Sequence, residues 1–260
     1  MGVLNVTPDS FSDGGHFLHI DDALRQAEEM VAEGAAIIDI GGESTRPGAA
    51  AVPLEQELAR VLPVIEGLAA AFDVPISIDT SKPEVMRAAV NAGARMINDV
   101  TALSAPGAIA AAVESAVPVC LMHMQGKPRT MQRAPQYDDV VADIMRYLSE
   151  RVAACEAGGI ARNRLLVDPG FGFGKTKAHN LALLKGLATF QRLGLPLLVG
   201  LSRKSMLGAV TGRTVEERLA ASVAAALMAV ERGARIVRVH DVAATVDALA
   251  LWQAVTDIES

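Results

Sequence analysis

The feature that most limits what this chain can fold into is an alternation repeated eight times. Short apolar runs at residues 2–5, 36–40, 76–79, 96–99, 119–122, 165–168, 197–200 and 236–240 read as strands. Between and after them lie longer stretches at 22–33, 54–72, 83–91, 108–114, 140–157, 180–189, 215–232 and 242–258, whose apolar residues recur at helical spacing. Helix starts carry acidic or capping residues, such as Asp21-Asp22 and Thr214 three residues before Glu217, and several stretches stop at glycine, as at Gly34, Gly93, Gly158 and Gly233. Eight such units in 260 residues predict an α/β chain with one domain over 1–260, a (β/α)8 TIM barrel. An open doubly wound sheet shares the repeat. That fold gathers its polar residues at one switch point, whereas here they follow nearly every strand. The barrel is favoured, with its active site at the C-terminal ends of the strands.

Composition narrows the setting. With 51% hydrophobic residues the chain has material for one large core, and a net charge of −6 argues against a nucleic-acid partner. Any anion site must come from a few basic residues gathered locally. Cys120 and Cys155 form no metal or redox pattern, and no run of about eighteen apolar residues or basic-then-apolar leader appears. A cytoplasmic protein with no membrane partner is expected.

The strand ends carry the chemistry. The sixth run ends Val167-Asp168-Pro169-Gly170-Phe171-Gly172-Phe173-Gly174-Lys175, a carboxylate opening into a glycine-rich loop that is neither a dinucleotide fingerprint nor a P-loop. The first opens into Asn5-Val6-Thr7-Pro8-Asp9-Ser10-Phe11, a polar loop suited to a lid. The second leads through Gly41, Gly42 and Thr45 to Arg46, a forked donor for an anion, and then Pro47. Alternation puts Ser77 and Asp79 inside the barrel, and Asn98 rather than Asp99. The fifth run reaches Met122-His123-Met124, a soft apolar surface whose histidine reads as structural. The seventh gives Ser202-Arg203-Lys204, and the eighth puts Arg238 and His240 on one side, facing Asn5 if the barrel closes.

Asp79, Asn98, Asp168 and Lys204 suit a flat heterocycle with an amide and an amino edge. Arg238, His240 and Arg46 form a second zone suited to phosphate. Asn5 is a neutral oxygen donor that fits Mg²⁺, an ion that takes its other ligands from water and substrate phosphates. No nucleophile–base pair and no His/Cys metal cluster is apparent, so the pattern points to electrostatic help for a departing diphosphate.

Over nearly its whole length the chain resembles the dihydropteroate synthases, pterin-binding enzymes of folate biosynthesis inhibited by sulfonamides. The residues that carry the resemblance are Asn5 to Gly14, Gly42 to Gly48, Ile78-Asp79-Thr80, Ile97-Asn98-Asp99, Met122 to Gly126, Asp168 to Lys175, Ser202-Arg203-Lys204 and Arg238 to Asp241. The resemblance implies a transferase that condenses 7,8-dihydropterin-6-ylmethyl diphosphate with 4-aminobenzoate, losing diphosphate before amine attack. It implies Asp79, Asn98, Asp168, Lys204 and Met122 as pterin ligands, and Asn5, Arg46, Arg238 and His240 for diphosphate, with Asn5 on Mg²⁺. Thr45, Arg46, Pro47, Phe173, Ser202 and Phe11 would meet the aminobenzoate or close over it, and Asp79, Lys204, Arg238 and His240 would be catalytic. A homodimer is also implied, with apolar residues such as Leu227, Leu249 and Trp252 available to pair two copies or to pack on the barrel. Relatives carry a further stretch ahead of the first strand, often a small hairpin closing the barrel bottom; here the sequence begins inside that strand, so the start lies upstream or the bottom is plugged another way. A methyl-carrying pterin barrel would keep the Asp79/Asn98/Asp168 pocket without needing Arg238 and His240. An inactive binding paralogue would have lost some of these positions, and none is missing.

Overall fold

The computed structural model describes residues 1–7, 16–45, 48–126, 130–132 and 134–257, side chains of 16–19 aside. Its strands are β1 Gly2–Asn5, β2 Ile38–Gly41, β3 Ile76–Asp79, β4 Met96–Asp99, β5 Val119–Met122, β6 Leu165–Asp168, β7 Leu197–Val199 and β8 Ala234–Val237. They pair in parallel in chain order. A bridge between Gly2 and Val239 returns the last strand to the first, where Val3 N donates to Val239 O at 3.1 Å and Val239 N to Met1 O at 2.9 Å. That closure excludes the open sheet.

Helices α1 His16–Ala32, α2 Leu54–Ala71, α3 Pro83–Asn91, α4 Ala108–Ser115, α5 Val140–Ala157, α6 Lys177–Lys185, α7 Ser205–Thr211, α8 Leu219–Glu231 and α9 Val242–Thr256 surround the sheet. Three of the helical stretches differ from the sequence expectation by more than two residues, each for an identifiable reason. Asp21 and Asp22 lie inside α1 rather than capping it. The expected helix at 180–189 is α6 followed by a 3₁₀ turn at Leu187–Leu193, with Thr176 and His179 forming the capping box. The stretch after β7 holds two helices, because Gly212 at φ 72° ends α7 before the Thr214–Glu217 contact and α8 begins only after Arg218. Seven residues with Gly208 among them are too short for a periodic signal.

Strand alternation sorts the interior into two layers. Ile38, Ile40, Ile76, Ile78, Ile97, Leu121, Val167 and Leu197 belong to the large core between sheet and helices. Met96, Cys120, Leu166 and Leu198, joined by Met1 and Ile236, form a separate apolar cluster that plugs the lumen. Two positions further along the same strands come Asn98, Met122, Asp168, Gly200 and Arg238. The plug forms the floor on which these residues stand.

Candidate active site

Above the plug the lumen turns polar. β2 supplies Asp39, fully buried, and β3 supplies Ser77 and Asp79. Arg238, one residue past β8, reaches both carboxylates: its Nε donates to Asp39 Oδ2 at 2.6 Å and its Nη2 to Asp79 Oδ2 at 2.9 Å. Asn98 Nδ2 also donates to Asp39 Oδ2, at 3.2 Å. Asp39 Oδ1, Asp79 Oδ1 and Ser77 Oγ have no hydrogen-bond partner among the described residues. A buried acceptor without a donor costs about 1–3 kcal/mol. Three in one lumen make sense with a ligand that brings N–H groups. Burial pushes the Asp79 carboxyl up to about 7, with Arg238 opposing and Asp39 adding to the rise.

The opposite wall is built from β6 and the segment after β7. Asp168 is buried, and its Oδ1 accepts from Gly170 N at 2.7 Å. Burial raises its pKa, while Lys204 pulls it down. Lys204 donates to Phe171 O, and its Nζ lies 4.6 Å from the centre of the Phe173 ring. Burial lowers Lys204 to about 8 against the pull of Asp168. Met122, buried beside Asp168 in the strand register, gives this wall an apolar face. Asn98 faces the lumen, whereas Asp99 turns into its own loop and accepts from Thr101 N at 2.7 Å and Leu103 N at 2.8 Å.

The rim is less crowded. Ser202 Oγ accepts from His240 N at 3.2 Å and lies 3.1 Å from His240 Nδ1, so the two hold each other. Asn5 is half-buried, and a Cβ added at Gly41 would lie 3.7 Å from Asn5 Oδ1 and 3.8 Å from Asp79 Oδ2. Gly41 therefore leaves space between them. Thr45 sits half-buried on the segment after β2; Phe11, Arg46 and Pro47 lie outside the described residues. Among the described residues no group of three or more His, Cys, Asp or Glu could hold a metal ion.

Three residues, Arg238, Asp39 and Lys175, have partners that the sequence pattern does not supply. Arg238, expected in a phosphate zone, also bridges Asp39 and Asp79, because closure puts β8 beside β1 and a long arginine spans β1 to reach β2 and β3. Asp39, outside the expected site set, pairs with Arg238 and Asn98. The alternation that singled out Ser77 and Asp79 applies equally to Asp39 between Ile38 and Ile40. Lys175, in the glycine-rich loop, turns inward: its buried Nζ donates to Gly170 O at 2.7 Å and Phe173 O at 2.9 Å, and lies 3.0 Å from His123 Nδ1. Burial and Lys175 lower His123 to about 3, so it packs as a neutral ring, edge-on to Tyr147 at 4.9 Å.

The profile of the pterin binding enzyme family matches residues 1–240. The chain belongs to that family. Among pterin-binding enzymes it is similar to the dihydropteroate synthase of Escherichia coli K12, 57% identical over 254 residues that cover 98% of this chain and 90% of the relative. The dihydropteroate synthase of Neisseria meningitidis serogroup C is 52% identical over 259 residues, covering 98% and 91%. A Xanthomonas albilineans dihydropteroate synthase solved with 4-aminobenzoic acid superposes with a TM-score of 0.95 at 58% identity, covering 100% of this chain and 93% of that one. The same organism's enzyme in complex with 7,8-dihydropteroate gives 0.91 at 54%, covering 100% and 94%. The pterin-binding family thus accounts for a polar lumen above an apolar plug, at the strand ends where the fold puts its chemistry.

Proposed function

We infer that this chain condenses 7,8-dihydropterin-6-ylmethyl diphosphate with 4-aminobenzoate, releasing diphosphate and forming 7,8-dihydropteroate in folate biosynthesis. The observation that carries the reading is the lumen set of Asp39, Asp79, Asn98, Asp168, Lys204 and Arg238, in which Asp39 Oδ1 and Asp79 Oδ1 have no donor among the described residues. A pterin presents an amino group and ring N–H donors on one edge, which match those oxygens.

In this reading Asp79, Asn98, Asp168, Lys204 and Met122 hold the pterin. Arg238, His240 and Asn5 meet the diphosphate, while Thr45, Phe173 and Ser202 receive the aminobenzoate. The methylene C–O bond breaks with its electron pair leaving on diphosphate, and the resulting cation is stabilised by the buried carboxylates beneath it. The aminobenzoate nitrogen then forms the C–N bond and gives up a proton. Asn5 suits Mg²⁺ because one neutral oxygen leaves the remaining positions to water and phosphate oxygens. When bound there, the ion would neutralise charge on the departing diphosphate.

The setting follows from the same reading. We place the enzyme in the cytoplasm, where Cys120 and Cys155 stay as the buried free thiols they are. No helix among the described residues is long and apolar enough to cross a membrane. Leu249 packs against the core, whereas Leu219, Met228, Leu251 and Val255 on α8 and α9 stay exposed, an apolar surface that a second copy would cover to give the homodimer.

The test is formation of 7,8-dihydropteroate from the two substrates, together with Arg238→Ala. Product should form with the unmodified chain, and the variant should weaken the diphosphate-bearing pterin more than the free pterin. Equal weakening of both would remove Arg238 from the phosphate contact.

A further inference from the structure

We propose that Lys82 is a positioning residue for the amine substrate, resting on the reading above that Thr45 meets 4-aminobenzoate. Thr45 lies on the segment joining β2 to α2, and both ends of that segment are tied to one lysine from a different βα unit. Lys82 Nζ donates to Glu43 Oε2 at 2.5 Å and also to Glu57 Oε2. Glu43 in turn accepts from Val52 N through Oε1 at 3.1 Å. The start and the end of the segment therefore share one carboxylate, and Lys82 holds that carboxylate in place.

The anchor beneath is buried and hydrogen-bonded. Glu57, in the first turn of α2, is fully buried, and its Oε1 accepts from Thr80 Oγ1 at 2.7 Å. Thr80 Oγ1 also accepts from Lys82 N at 3.2 Å. Thr80 directly follows Asp79, so the same cluster that holds the Thr45 segment is fastened to the strand end carrying the pterin carboxylate. Gly42 adds to the fit: its carbonyl accepts from Arg60 Nη1 at 2.8 Å, and a Cβ there would fall 2.7 Å from Val61 and 3.1 Å from Glu57. The segment leaves β2 pressed against α2, and Lys82 holds Glu43, two residues before Thr45. A charge-assisted link from two carboxylates to one ammonium is short and directional, which suits aiming a loop better than apolar packing does.

A merely structural ion pair predicts something different. It would lower melting temperature and affect both substrates alike, whereas positioning moves the Michaelis constant for the amine alone. Lys82→Met strands buried Glu57 without its partner and endangers folding. Glu43→Ala is therefore the second variant, since it removes the Glu43 contacts to Lys82 and Val52 and leaves Glu57, Lys82 and Thr80 paired. Steady-state kinetics on both variants should show KM for 4-aminobenzoate raised about tenfold, KM for the pterin diphosphate changed less than twofold, and Lys82→Arg close to the unmodified chain. An unchanged amine KM in folded Glu43→Ala, or equal rises for both substrates, would overturn the proposal. Absence of dihydropteroate from the unmodified chain would overturn the functional reading and this proposal with it.

Discussion

Arg238 Nε lies 2.6 Å from Asp39 Oδ2, a contact that crosses the barrel seam past β1. Asp39 is fully buried, and the same oxygen also accepts from Asn98. One carboxylate therefore orients both the cation from the last strand end and the amide from the fourth. It needs no contact with the reacting atoms to matter.

Replacing Asp39 with alanine should unbalance both partners. Removing one member of a buried pair costs about 3–5 kcal/mol. The loss should fall near the low end, because Asp79 still pairs with Arg238 at 2.9 Å. Urea unfolding measures that loss, and kcat/KM for the pterin diphosphate should drop at least tenfold in the folded variant. Unchanged turnover would leave Asp39 as packing only.

The Asp79 carboxyl gives a pH dependence with a definite sign. Burial raises it from 3.8 to about 7, so the folded chain binds its proton more tightly than the unfolded chain does. Its contribution to stability is therefore favourable at low pH and lost as pH climbs from about 4 toward 7. Asp79→Asn cannot titrate, so its melting temperature relative to the unmodified chain should rise between pH 5 and pH 8, and its turnover should fall sharply at both. Binding should show the same proton. A pterin edge of N–H donors selects the ionised carboxylate, so binding near pH 6 should release a proton, read as a buffer-dependent heat. A heat independent of buffer at that pH would assign the perturbed group elsewhere.

How much of this could be read beforehand follows from the period of two. β3, β4, β5 and β6 fall where the apolar runs were placed, and the inward positions Asp79, Asn98, Met122 and Asp168 follow from them by counting. β8 lies two residues earlier than expected at one end and three at the other, so Arg238 and His240 fall past its end, where Arg238 still reaches Asp39 and Asp79 and His240 meets Ser202. What pattern could not supply is pairing across the barrel. Nothing within the second run says that Asp39 meets a residue 199 positions away. Lys175 was hidden for a related reason: a lysine in a glycine-rich loop looks solvated, and only the folded loop turns its amine inward onto two carbonyls.

That loop supplies the last prediction, a comparison of two glycines with similar backbones. Gly170 has φ 70° and Gly194 has φ 65°, both in the left-handed region where an alanine is strained by about 1–2 kcal/mol. Their surroundings differ. A Cβ at Gly194 meets nothing within 4 Å, whereas at Gly170 it would fall 1.9 Å from His123 O and 3.3 Å from Met122. Gly194→Ala should therefore show backbone strain alone, a modest fall in melting temperature with normal turnover. Gly170→Ala must push the loop off β5, breaking the Gly170 N contact to Asp168 and the Lys175 grip on Gly170 O together. Its melting temperature should fall several times further than that of Gly194→Ala, and pterin binding should weaken because Asp168 loses its orientation. Equal effects from the two substitutions would mean that the loop yields at little cost, and that neither Lys175 nor the close approach to His123 fixes the position of Asp168.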